Sequence, residues 1–359
     1  MSETRSMTLE AHQSIRTDDL LQAAERLKQK IRNIDIQNLC IDEAYKKTYL
    51  IPKISSMDYW LSQKYLQHIA EALTLQASRN CPFKDIALID HGGGLGFLGF
   101  LAKEVGIGTV IYNDIDPKFL DTARQLGTAI GVVHDRFILG GFDELTKSLR
   151  DETAQCTLLV SADVIEHIYD IDEFIKMLPL LSDGSIGVVM SSGANYLSPK
   201  YMLSIFSVQK QAENRWCKVR EDIIRAALPS IRDPDLHLLA KKTRGRMKDE
   251  IVAIANDYAT TGSLNKIKKP LGDFDPYLTN TCDPHTGWWA EHLLNPLALV
   301  KTLKGYGFNS KVVPGIYNDG QSSYLQRSAA RTLNSCIKAM KIFSIPIAPF
   351  YMITGSRLR

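Results

Sequence analysis

Short apolar runs alternating with amphipathic stretches begin near position 86. IALID (86–90), TVIYND (109–114), TLLVSAD (157–163) and SIGVVMSS (185–192) are strand-like, and VVHDRFIL (132–139) is a weaker run of the same kind. Between them FLGFLAKEV, PKFLDTARQLG and DIDEFIKMLPLL carry apolar residues at helical spacing. Strands alternating with helices predict βαβ units and an α/β fold, a Rossmann-like, doubly wound and mostly parallel sheet.

Upstream, Thr17 can cap a helix, Asp18 and Asp19 suit its positive end, and Leu20, Leu21, Ala24, Leu27 and Ile31 share one stripe. A second helix is predicted from about Asp58 to Leu75, through DYWLSQKYLQHIAEALTL. These helices make residues 1–80 an expected N-terminal cap ahead of a core at 81–195. After Ser192 the alternation stops, and 196–293 shows helical patterns without a clear strand. It resumes at Asn295, a predicted N-cap, with Pro296 at the first helical position, then LALVKTLKGYG and the strand candidates SKVVPGIY and FYMITGSRL. The stretch 196–293 is therefore read as a helical insertion serving as a substrate lid, and 294–359 as the return to the sheet.

The hydrophobic fraction of 45% and charged fraction of 23% are ordinary for a globular protein. The opening MSETRSMTLEAHQSIRTDD lacks the basic start and apolar run of a signal peptide. IFSIPIAPFYMITG, broken by Pro346 and Pro349, is too short to span a bilayer. A cytoplasmic protein without a membrane span is expected. The six cysteines contain no C-x-x-C pair, which argues against a zinc site and a disulfide framework. Net charge is +3, yet residues 200–269 hold fifteen Lys/Arg against eight Asp/Glu, an excess of +7. Solvated helix faces explain most such runs, but a basic lid would also favour an acceptor carrying phosphate or carboxylate. No zinc finger or RNA-binding motif accompanies the excess, so a nucleic-acid partner is not expected.

The chemistry concentrates in ALIDHGGGLGFLGFLAKEVG, a strand running into a glycine-rich turn that opens a helix. Such a turn lets a ligand lie against the main chain at the helix N-terminus. The next strand ends at Asp114, placed to accept hydrogen bonds from ribose hydroxyls. Two registers are open. Gly94, Gly96 and Gly99 satisfy the dinucleotide pattern of a nicotinamide oxidoreductase, whereas Asp90-x-Gly92-x-Gly94-x-Gly96 begins at the strand end.

DHGGGLG after an apolar strand resembles the first motif of class I S-adenosylmethionine (SAM) methyltransferases, and NDIDP (113–117) resembles their second-strand acidic motif. LLVSADVIEHIYDIDEFIKMLPLLSDGSIGVVMSS is similar to the fourth strand, helix and fifth strand of the branch that includes ubiquinone-biosynthesis O-methyltransferases. The likeness covers about 85–195 well and 290–359 loosely. It implies SAM as cofactor, with Asp90, Gly92, Gly94 and Gly96 around the methionine part, Asp114 on the ribose and Ile115 against the adenine. It further places Gly141, Phe142 or Asp143 at the adenine edge, although relatives often carry an acidic residue at position 142, and Asp163 beside the methionine or substrate. By analogy the reaction is O-methylation of a small or medium metabolite, on a sugar or phenolic hydroxyl. A SAM-binding module without catalysis is the further alternative.

For a hydroxyl acceptor a histidine is the natural base. His292 and His285, in DPHTGWWAEHLLNP, are the first candidates, followed by His167 in DVIEH (163–167). Asp163, Glu166 and His167 are also spaced to gather a divalent ion, but no metal is expected. Trp288 and Trp289, being adjacent, must face different ways: one is expected over the acceptor pocket and the other inside.

Overall fold

The computed structural model describes residues 17–77, 81–150, 156–182, 184–195, 197–264, 273, 278–319 and 323–358. Seven strands form one sheet: β1 (Ile86–His91), β2 (Thr109–Asp114), β3 (Arg136–Leu139), β4 (Cys156–Ala162), β5 (Ser185–Ser192), β6 (Asn309–Pro314) and β7 (Tyr351–Arg357). Their order is β3-β2-β1-β4-β5-β7-β6. The first five run parallel, while β7 lies antiparallel between β5 and β6. This is the Rossmann-like α/β sheet the alternation predicted. β1 is buried at all six positions because helices cover both its faces.

Side-chain alternation divides the core. Leu88, Val110, Leu158, Val160 and Met352 face one layer, and Ile89, Ile111, Leu159, Met190 and Ile353 face the other. The first layer holds α1 (Thr17–Arg32), α2 (Tyr65–Ala77), α3 (Phe97–Val105) and α4 (Pro117–Ile130). Leu27, Ile31, Leu61 and Ile69 of the N-terminal region therefore share one core with the sheet. The second layer holds α5 (Phe142–Leu149), α6 (Ile171–Met177) and α10 (Pro296–Gly305). Asn295 caps α10 through Leu297 N, and Pro296 occupies its first turn.

The inserted segment contributes α7 (Pro199–Ala227), α8 (Asp233–Lys242) and α9 (Lys248–Thr261), which bury their own cluster of Ile223, Ile224, Leu236, Leu239 and Ile251. Arg220, fully buried, donates to Ala240 O at 2.7 Å and to Glu213 at 2.6 Å, tying α7 to α8.

Three features depart from expectation. The predicted second helix contains a π-helical turn, Trp60–Lys64, ahead of α2, and another, Lys46–Leu50, lies upstream of it. The 132–139 run is a strand only from Arg136, at the sheet edge. An unpredicted helix, α11 (Tyr324–Met340), lies between β6 and β7. Asp183, and Lys266, Lys268 and Lys269 of the basic 200–269 stretch, lie outside the described residues. No described helix is long and apolar enough to cross a membrane.

Candidate cofactor and acceptor site

The turn after β1 places every second residue in the left-handed region: Gly92 at φ +66°, Gly94 at +54° and Gly96 at +80°. These are the glycines of the register that starts at the strand end. Gly99 instead sits inside α3, where a Cβ would approach His134 Nε2 to 2.2 Å, so it serves helix packing. A Cβ on Gly92 would meet Val164 at 2.4 Å and one on Gly96 would meet His134 at 2.8 Å, but one on Gly94 would meet nothing within 4 Å. Gly94 is thus required by its backbone alone, and its open side forms a cradle at the start of α3.

Neighbouring strands fix that cradle. Gly94 N donates to Asp114 Oδ2 at 2.9 Å, and the Tyr112 hydroxyl donates to Gly94 O at 2.6 Å. The other Asp114 oxygen accepts from Asp116 N at 2.9 Å, and burial raises the carboxyl above its ordinary range. Ile115 follows with 65% of its surface exposed, an apolar side chain at the mouth of the cradle.

Asp90 has a different task from the ligand contact the resemblance implied. Its buried Oδ2 accepts from Gly99 N at 2.9 Å, clamping β1 to α3, and burial pushes its carboxyl up to about 7. Phe142 likewise turns inward, its ring 4.6 Å from Phe174 and 5.4 Å from His91, so only its backbone can border an adenine. Gly141 N donates to Glu144 at 3.0 Å and starts α5, leaving Asp143 exposed in the first turn. His91 is a core residue 2.7 Å from Asn113 Oδ1, with its pKa lowered by burial to about 4.

On the far side of the cradle, β4 is followed by Asp163, a non-glycine residue at φ +58°. Its carboxylate ion-pairs with the buried ammonium of Lys64. Burial alone would raise the Asp163 carboxyl, but Lys64 outweighs it and holds the group below its usual range. Lys64 Nζ lies 4.7 Å from the Phe350 ring centre and 5.3 Å from Trp60, and Lys53 Nζ lies 3.0 Å above Trp60. Burial lowers Lys53 to about 7. Sequence reasoning missed Lys53, Tyr59, Trp60 and Lys64; the only available signal was two lysines interrupting an aromatic-rich helical run.

The three candidate histidines separate. His167 Nδ1 lies 2.9 Å from Trp289 O, its Nε2 is 4.0 Å from Glu291 Oε1, and its ring stacks on Trp288 at 4.5 Å. Glu291 is another non-glycine left-handed residue, at φ +54°. His292 is enclosed, stacked on Trp289 at 4.0 Å with Nε2 at 3.0 Å from Asp273. His285 is exposed on a turn whose N–H is held by Asp283. The three histidines thus occupy different surroundings: His292 enclosed, His285 exposed, and His167 set between Trp288 and Glu291. The tryptophans face different ways: Trp289 is buried and donates to Tyr169 O at 3.2 Å, while Trp288 is half exposed.

Glu166, between these groups, is buried with Oε1 accepting from Gly193 N at 3.0 Å and Oε2 unpartnered; burial raises its carboxyl strongly. Arg244 pairs with Glu213 at 3.0 Å and Arg246 with Glu250 at 2.9 Å. These two arginines of the basic 200–269 stretch are thus held in ion pairs internal to the insertion. Among the described residues, no group of three His, Cys, Asp or Glu is spaced to hold a metal ion.

No family model matches the chain. The ribosomal protein L11 methyltransferase of Acinetobacter baumannii (strain AYE) is 29% identical over 155 residues, which are 42% of this chain and 50% of that protein. The chain thus spans about half the length of the curated relatives it matches. Among solved structures it is similar to an S-adenosylmethionine dependent methyltransferase from Mesorhizobium loti, at 16% identity and a TM-score of 0.40, covering 80% of this chain and 98% of that one. A putative S-adenosylmethionine dependent methyltransferase from Listeria monocytogenes gives 12% identity and a TM-score of 0.42, covering 83% and 100%. The curated likenesses fall on ribosomal-protein methyltransferases and not on the ubiquinone-biosynthesis branch that DVIEH resembles.

Proposed function

We propose that the chain is a SAM-dependent methyltransferase acting on a hydroxyl of a small or medium metabolite, of sugar or phenolic type. The observation that carries the reading is the alternate left-handed glycine turn, whose open member, Gly94, is locked to Asp114 at the end of β2. The residues fit the cofactor. Gly94 leaves room for a chain against the backbone, Asp114 keeps lone pairs for ribose hydroxyls beyond the two N–H groups it holds, and exposed Ile115 offers an apolar face to adenine. The turn favours this register over the nicotinamide one through Gly92, which only the strand-end register uses: it stands at φ +66° and a Cβ there would meet Val164 at 2.4 Å.

When bound, SAM supplies an electrophilic methyl group. The chain's share of the work is alignment and proton removal. If Nδ1 of His167 carries the proton given to Trp289 O, Nε2 holds a lone pair facing the acceptor side, and Trp288 fixes the plane of the ring. Glu291, near that nitrogen, stabilises the imidazolium once a hydroxyl proton is taken. Lys53, Tyr59 and Trp60 close the site from the cap and favour a compact acceptor with an aromatic or sugar face.

A protein acceptor is the second reading, favoured by the likeness to the L11 methyltransferases. Calorimetry with SAM, S-adenosylhomocysteine and NAD tests the cofactor, and tight NAD binding without the other two would sink the proposal. Labelled methyl transfer into the small-molecule or the protein fraction of a cell extract separates the acceptors.

A further inference from the structure

Helix α11 and the turn after it present an unusual outer surface. Its inward face buries only Ala330, Asn334 and Ile337. The outward positions Leu325, Ala329, Thr332, Cys336 and Met340 recur every three or four residues, and all are exposed. Phe343 extends the stripe past the helix end, 79% exposed, and Leu325 opens it at 77%. Alongside stand the exposed cations Arg331, Lys338 and Lys341, and from position 320 to 359 the chain contains no Asp or Glu. Arg331 has Asp319 nearby, at 3.8 Å between two well-exposed side chains.

We propose that this face docks on an anionic lipid surface, with Leu325, Met340 and Phe343 entering the headgroup boundary and Arg331, Lys338 and Lys341 against lipid phosphates. Exposed apolar residues on one face of a helix, with cations on the adjoining flank and at the helix end, are what an interfacial helix requires. Charge argues for lipid over a second copy of this chain. A two-fold contact pairs a patch with itself and would bring two sets of these cations together with no Asp or Glu of 320–359 between them.

The seating of α11 gives the surface a position relative to the site. Asn334 Nδ2 donates to Tyr317 O at 2.9 Å and its Oδ1 accepts from Tyr317 N at 2.7 Å, while Ile316 N donates to Gln67 of α2 at 3.1 Å. Gln63, beside Lys64, donates to Ile316 O. The helix is thus strapped to the element that carries Lys64, so a docked molecule would hold its acceptor side next to the lipid surface.

Flotation of the full chain with phosphatidylcholine vesicles, with or without phosphatidylglycerol, tests the proposal without relying on methyl transfer. Binding is expected to the phosphatidylglycerol vesicles alone and to weaken with salt. Leu325→Glu with Phe343→Glu should lower partitioning by about tenfold or more. Changing Arg331, Lys338 and Lys341 to Gln should cost roughly fivefold each. All five positions are exposed, so melting temperature and SAM affinity serve as folding controls. Absence of flotation overturns the proposal, as does vesicle binding indifferent to these variants. A solution dimer that Phe343→Glu dissociates, in a chain that does not float, overturns it in favour of a second copy.

Discussion

Replacing Lys64 by methionine keeps the length of the side chain and removes its charge. The lysine is 2% exposed and its partner Asp163 26% exposed, so the change strands a carboxylate that is only partly reached by water. Breaking a buried pair from one side costs about 3–5 kcal/mol, and the residual exposure of Asp163 places this site near 3. A second contribution comes from the backbone. Asp163 is held at φ +58°, a conformation about 1–2 kcal/mol above the right-handed region, and the Lys64 contact helps to keep it there. Urea titrations at pH 7 of the wild type, Lys64→Met, Asp163→Asn and the double variant form a double-mutant cycle. The double variant should recover most of the loss, since no charge is then left without its partner. The pH dependence has a definite sign. Asp163 is depressed in the wild type and raised once Lys64 is gone, so the deficit of Lys64→Met should shrink as pH falls through the ordinary carboxylate range. A coupling energy below about 0.5 kcal/mol would refute the argument and reduce the pair to a surface contact.

Three further outcomes follow from the site. Gly94→Ala should weaken SAM binding more than it lowers the melting temperature, whereas Gly96→Ala, which also meets His134, should do the reverse; calorimetry and thermal melts of both variants decide. His167→Ala should slow methyl transfer by about 10²–10⁴-fold and His285→Ala should leave it unchanged, so equal rates for both would remove His167 as the base. Burial lowers the His134 pKa to about 4, so in the unfolded chain this residue takes up its proton near 6.5 while the fold resists. Relative to His134→Phe, the wild type should therefore lose up to about 3 kcal/mol as pH falls from about 6.5 to about 4, and a difference constant across that window contradicts the assignment.

The sheet and the glycine turn were legible because both are local. Ile86–His91 is apolar enough to need cover on two faces, and alternate glycines announce alternate left-handed residues. The acceptor side was not legible, because it assembles over long range. Lys64 and Asp163 are 99 positions apart, and nothing in a helical QKYLQH pattern marks its lysine as one that will be buried. The sequence ranked His292 and His285 ahead of His167 with nothing to show which of them would be buried. Only packing shows that Trp289 and Asp273 enclose His292 while His167 keeps one nitrogen toward Glu291. Helix α11 escaped for the opposite reason, since it buries too few apolar residues to print an inward stripe.

The π-helical turn Trp60–Lys64 sets how the cap can evolve. A π turn accommodates one residue more than an α turn, so it marks a place where the chain can gain or lose a single codon without losing the helix. Each residue removed turns everything on one side of it by about 100° relative to the other. Deleting Ser62 would leave α2 anchored on the sheet and swing Lys53, Tyr59 and Trp60 away from Asp163. Point substitutions adjust the proposed acceptor pocket one side chain at a time, whereas one deletion here exchanges its whole roof while the proposed cofactor cradle, built on β1 and β2, stays as it is. Descendants of this chain with new acceptors are therefore to be sought among length variants at positions 60–64.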